Sequence, residues 1–169
     1  MCRWFPLGVC LAASLAGCAG ARIRDGLYVH PDKGFQVALP TGSWERLPGS
    51  DVDLAFRHPS GAAGLLVNAT CEGNPPRRPS RLLARHLLIG LTDKVVLRQE
   101  EVRLHGVPAL YTLARGRYEG QPLEVQAFII RARGCVYDLV YFVNPNGPPE
   151  GSAAFEAVVQ SFRLLGPEG

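Results

Sequence analysis

Residues 135–143 read CVYDLVYFV, apolar or aromatic at every position except Asp138. Successive side chains of a strand point to opposite faces, so a strand this apolar has to be covered on both. That requirement constrains the fold more than any other stretch. The segment belongs in the interior of a sheet, with further layers packed above and below it.

The preceding chain supplies the rest of a sheet. In residues 26–44, the β-prone Leu27-Tyr28-Val29 leads to a turn at Pro31-Asp32-Lys33-Gly34. Phe35, Val37 and Leu39 then alternate with Gln36 and Ala38 before Pro40-Thr41-Gly42 ends the run, which predicts a hairpin. Residues 52–71 repeat the pattern around Pro59-Ser60-Gly61, with Leu65, Val67, Ala69 and Cys71 on one face of the return strand. A Pro-rich loop (72–80) follows. Ser80 is placed to cap an amphipathic helix of about three turns, in which Leu83, Leu87 and Leu91 recur at i, i+4 and i+8 and Gly90 weakens the last turn. Residues 95–104, 107–115 and 122–132 read as strands joined at His105-Gly106 and at Tyr118-Glu119-Gly120. The apolar face of 107–115 is Val107, Ala109, Tyr111 and Leu113. A closing helix over SAAFEAVVQSF carries Phe155, Val158, Val159 and Phe162 at i, i+3, i+4 and i+7. Hairpins with segregated helices predict an α+β fold, helices packed on an antiparallel sheet. At 169 residues the chain makes one domain, with no internal repeat.

The amino terminus carries a different signal. Arg3 precedes an apolar run from Trp4 to Leu15, then small residues, so residues 1–17 read as a signal peptide. The run is shorter than the ~20 residues of a spanning helix. Leu15-Ala16-Gly17-Cys18 resembles the lipobox of bacterial lipoproteins. The resemblance implies a thioether-linked diacylglycerol on Cys18, cleavage before it and acylation of the new amino terminus. The plainer alternative is an ordinary signal peptide that happens to contain a cysteine. One acyl chain anchors only marginally, so two or three would be needed. Ala19 stands where Asp would favour inner-membrane retention in enteric bacteria, which implies the periplasmic side of the outer membrane. Residues 18–25 then form a lipidated tether. The stretch 19–26 spans at most about 25–30 Å when extended, so the domain (26–165) would sit close to the bilayer, with a flexible tail at 166–169.

Processing would remove Cys2 and Cys10 and lipidate Cys18, leaving Cys71 and Cys135. An even pair in an exported domain predicts a disulfide, worth roughly 4 kcal/mol for a loop of that length in the chain-entropy model. Two unpaired buried thiols are the alternative. Metal ligation is not expected, because neither cysteine has a CxxC or HxxxH companion.

Gly34-Phe35-Gln36-Val37-Ala38-Leu39-Pro40, followed by Gly42 and Trp44, resembles the opening of the PsbP-like superfamily. That group includes the extrinsic photosystem II subunit PsbP, a Ran-binding nuclear-import factor and DcrB-type envelope lipoproteins. The cadence through residues 104–142 and the ending FEAVVQSFRLL also resemble it. The likeness covers about residues 26–165. It implies an α/β/α sandwich, a central and mainly antiparallel twisted sheet flanked by helices, and a binding or assembly role without catalysis. Partners differ among members, so no functional residue carries over.

The residues themselves offer no catalytic constellation. His30 and His58 sit beside turn prolines, His105 precedes a turn glycine and His86 lies on the predicted helix. No nucleophile elbow, phosphate loop, dinucleotide fingerprint or zinc-protease motif occurs, so no enzyme, cofactor or metal is expected. A hydrolase pairing Cys71 or Cys135 with His86 is the minor alternative. The net charge is +3, and 16 of the 18 cations are arginines scattered along the chain, which argues against nucleic acid as a partner. Asp138 is the odd residue. It is either a perturbed carboxylate marking a site or one arm of an ion pair with Arg131 or Arg133. Tyr111, Tyr137 and Tyr141 read as core aromatics. The expectation is thus a lipid-anchored envelope module that binds an envelope protein, or else carries or senses a small apolar ligand between sheet and helix, in a cavity lined by Leu83 and Leu87.

Overall fold

The computed structural model describes residues 20–71 and 78–166. The expected signal peptide (1–17), the lipidation residue Cys18, most of the Pro-rich loop and residues 167–169 lie outside them. Among the described residues no helix is long and apolar enough to cross a membrane.

Chain reversal is achieved largely by one device. Asp25-Gly26, His105-Gly106, Glu119-Gly120 and Arg133-Gly134 all take positive φ at both positions. Two-residue turns of this hand match the twist of the strands they join. They link β1 (Arg22–Arg24) to β2 (Leu27–His30), and β7 (Thr92–Leu104) to β8 (Val107–Tyr118), β9 (Gln121–Ala132) and β10 (Cys135–Val143). The other strands are β3 (Phe35–Ala38), β4 (Glu45–Arg46), β5 (Leu54–Arg57), β6 (Ala63–Thr70) and β11 (Arg163–Leu164). The helices are α1 (Ser80–Leu87) and α2 (Gly151–Ser161).

Every strand pairing is antiparallel, in two sheets ordered β4-β5-β6-β10-β9-β8-β7 and β1-β2-β3-β11. The apolar strand β10 is the middle of the seven, as its composition demands. Its odd-numbered side chains Tyr137, Leu139 and Tyr141 cluster with Phe155, Val158 and Val159 of α2, with Phe162 just beyond it, and with Tyr28, Phe35 and Val37 of the smaller sheet. Val136 and Val140, on the other face, cluster with Ala84 of α1 and with Leu88 and Leu91 just beyond it.

The α+β class holds, but the arrangement differs from one sheet flanked by helices. One face of the large sheet is covered by α2 together with a second sheet, and the other by the short helix α1. Strand β11 returns the chain from α2 to pair Arg163 with Gln36 and Leu164 with Phe35. Arg22–Arg24, expected within the tether, forms the exposed strand β1. Helix α1 also differs from expectation. Pro79 occupies the N-cap, Ser80 is already helical with no side-chain cap, and the chain turns away after Leu87. In β8 the more buried face is Leu110, Thr112 and Ala114 beneath α1, rather than the face of Tyr111 and Leu113. Thr112 tolerates full burial because Gln99 Nε2 donates to its hydroxyl at 3.1 Å.

The opening motif has a packing explanation. Gly34, at φ +65°, closes the β2–β3 turn by donating its N–H to Pro31 O at 2.9 Å. Phe35 and Val37 then enter the core with no exposure, and Trp44 packs edge-on against His58 and Tyr141.

Candidate functional site

Cys71 and Cys135 form a disulfide with Cα atoms 4.2 Å apart. The register explains it: Thr70 opposes Val136 in the β6–β10 ladder, so the next position on each strand brings the two cysteines face to face. Neither carries a free thiol for His86. The histidines are separated and engaged elsewhere. His58 Nδ1 lies 2.8 Å from Ser60 Oγ, His105 Nε2 lies 2.8 Å from Gln160 O, and His86 is exposed beside Arg78 at 3.4 Å. Burial holds His30 below the usual histidine range. Among the described residues no group of three His, Cys, Asp or Glu side chains could hold a metal ion.

Asp138 lies on the α1 side of β10, opposite Asn68 on β6 and Ile129 on β9. The expected ion pair with Arg131 or Arg133 is not formed, and among the described residues no cation pairs with it. Burial alone pushes its carboxyl up to about 6.

The buried charge that is paired was not singled out from sequence. Asp53, in the loop before β5, accepts from Lys33 Nζ at 2.6 Å and from the Ala69 N–H at 2.7 Å, with its side chain only 8% exposed. His30 Nε2 stands 3.7 Å away. Tyr137 OH donates to Lys33 O at 2.9 Å. These bonds fasten the β2–β3 turn of the small sheet to β6 and β10, next to the disulfide. Two separately unremarkable residues twenty positions apart left no local signal.

Tyr137 and Tyr141 are core residues, the latter stacked on Phe155 at 5.7 Å. Tyr111 is half-buried beside Phe128, with the Arg98 guanidinium 5.8 Å from its ring. Tyr111, Phe128 and Arg98 line a groove of about 370 Å³ along α2, in which Arg98 pairs with Glu100 at 2.7 Å.

The opposite face has a more apolar opening. Because α1 ends at Leu87, it leaves the far ends of β6, β9 and β10 uncovered. A cleft of about 200 Å³ opens there, lined by Leu66, Leu87, Leu91, Leu123, Val140 and Phe142 among others. It adjoins a hollow of about 500 Å³ that shares Tyr118, Leu123 and Phe142. Tyr118, which lines both, is 52% exposed. Leu83, expected to line such a cavity with Leu87, instead packs with Ala84, Leu110 and Ile129.

No protein-family model matches the chain, and no curated protein matches it. Solved structures do. A cyanobacterial PsbP (CyanoP) from Synechocystis sp. PCC 6803 superposes with a TM-score of 0.61 at 16% identity, over 95% of this chain and 100% of that one. LpqN, described as involved in cell envelope biogenesis of Mycobacterium tuberculosis, gives 0.57 at 13% identity, over 78% and 84%. The Saccharomyces cerevisiae Ran-binding protein Mog1p gives 0.55 at 12%, over 78% and 90%. A Bacteroides thetaiotaomicron structure is similar at 0.60 and 13% over 85% of this chain, which spans half of its length. Together with the Gly34–Trp44 motif at the start of the core, these likenesses show that the chain has the PsbP-like fold.

Proposed function

We propose that this chain is a bacterial envelope lipoprotein, anchored through acylated Cys18, that acts as a non-catalytic binding or assembly module. The lipobox-like Leu15–Cys18 supports the anchor, and the cystine within the fold suits an oxidising compartment. Mog1p is a Ran-binding protein and LpqN is involved in envelope biogenesis, so the fold serves binding and envelope roles in other proteins. The observation that carries the reading is the open cleft beside α1, whose floor is hydrocarbon and whose lining includes one polar side-chain group, the Tyr118 hydroxyl. Such a surface is suited to holding an apolar ligand.

Intact-mass analysis of the mature chain taken from membranes tests the anchor. Cleavage before Cys18 with acyl groups on it is expected. Retention of Met1, or an unmodified Cys18, would refute it.

A second reading, a carrier or sensor of a small apolar ligand, is favoured by the same cleft. The apolar cleft opens at the Leu87 end of α1, so a ligand would enter there.

A further inference from the structure

The cleft beside α1 is graded in polarity. Its inner part is walled by leucine and valine, and the Tyr118 hydroxyl is the one polar side-chain group among its lining residues. Past Tyr118, Leu123 and Phe142 it widens into the hollow where Glu119, Gln121 and Asn144 supply polar atoms. Neither part is lined by a lysine or an arginine. A carboxylate or phosphate monoester would find no counter-charge there, and would meet Glu119.

Two glycines shape the trough. A Cβ on Gly64 would stand 2.2 Å from the Phe142 ring, so that ring lies directly over the β6 backbone and forms a flat floor. A Cβ on Gly90 would come within 3.7 Å of the Tyr118 ring, so any larger side chain at 90 would project toward the trough.

The chain's own lipid would start from the far end of β10. Arg22 pairs with Val29, next to the β2–β3 turn, whose Lys33 carbonyl is bonded by Tyr137 near the start of β10. The trough lies at the other end of β10, beside Phe142. That is roughly 17 Å from Tyr137 at about 3.3 Å per residue. Residues 19–21 span at most about 10 Å, so acyl chains on Cys18 would have to leave the bilayer and bridge the rest of the distance themselves.

We infer that the trough receives the hydrocarbon tail of a single-chain amphiphile from outside the molecule, with an uncharged or zwitterionic head resting at Gln121 and Asn144. The inference deepens the carrier reading and rests on it.

The test uses the full acylated chain in nanodiscs, with a lysophosphatidylcholine carrying a diazirine near the end of its tail. After irradiation, mass spectrometry should find the label concentrated at least tenfold on the Leu87–Leu91 and Tyr118–Leu123 segments relative to α2. Monopalmitoylglycerol should compete, and palmitate at least tenfold more weakly. Gly90→Phe, which fills the trough from a solvent-exposed turn, should abolish labelling while leaving thermal unfolding in place. Label spread over the surface, or labelling unchanged in Gly90→Phe, would overturn the inference. So would competition by palmitate equal to that of the neutral lipid. A photoreactive residue replacing Tyr118 separates the two levels of the argument. Capture of a protein there, without lipid labelling, would overturn the ligand class and leave the binding-module reading standing. Capture of nothing would remove both at this site.

Discussion

Asp138→Asn isolates the cost of the one carboxylate that burial perturbs without a partner. Its carboxyl is raised from an ordinary 3.8 to about 6, and desolvation is the sole cause. A raised acid pKa means that the folded chain holds this proton more tightly than the unfolded chain does. Stability is therefore fullest below pH 4 and is lost as the pH rises through 6. At about 1.4 kcal/mol per pH unit, the gap corresponds to roughly 3 kcal/mol at pH 8, an upper bound for a site at which some solvent remains. Asparagine keeps the shape and cannot ionise, and Asn68 across the ladder is within reach of its amide. Urea unfolding of the oxidised wild type and the variant, at half-unit steps from pH 4 to 8, measures the difference directly. The variant should match the wild type near pH 4 and exceed it by about 2–3 kcal/mol at pH 8, with the rise spread between about pH 4 and 6 and level above that. A difference that is flat across the range, or that favours the wild type at pH 8, would show that the Asp138 carboxylate is solvated or paired and that the argument is wrong.

Replacing both cysteines, Cys71→Ser with Cys135→Ser, should lower unfolding free energy by roughly 4 kcal/mol, because a cross-link spanning 64 residues no longer restricts the unfolded chain. Reduction of the native protein should give a similar loss in the same denaturation assay. Lys33→Ala leaves the Asp53 carboxylate with the Ala69 N–H as its remaining hydrogen bond, and should cost about 1.5–3 kcal/mol. A loss below about 0.5 kcal/mol would mean that water replaces the ammonium at no penalty.

What could be read from the chain was local. The β2–β3 turn, the Pro59–Gly61 reversal, the amphipathic α2 and the fully apolar β10 each follow from residue spacing within a dozen positions. The central place of β10 follows too, since a strand without a polar face has nowhere else to go. The cysteine pair was legible because two thiols in a domain expected to be exported have few other uses. Sequence left an ion pair open as one of two readings of Asp138, because it gives a strand's composition and not its register. Only the ladder places Asn68 and Ile129, rather than an arginine, across from it.

The two-residue strand β11 carries no periodicity, so the second sheet that it helps define was out of reach. The Lys33–Asp53 bond likewise depends on how that sheet docks. By itself the sequence determined the class of fold, the covalent cross-link and the lipobox-like Cys18, because these depend on residue type and short spacing. The tertiary structure alone decided where apolar surface is left uncovered. The length of α1 fixes that, and α1 ends where Leu88 and Leu91 can still be buried by a turn without another helical one.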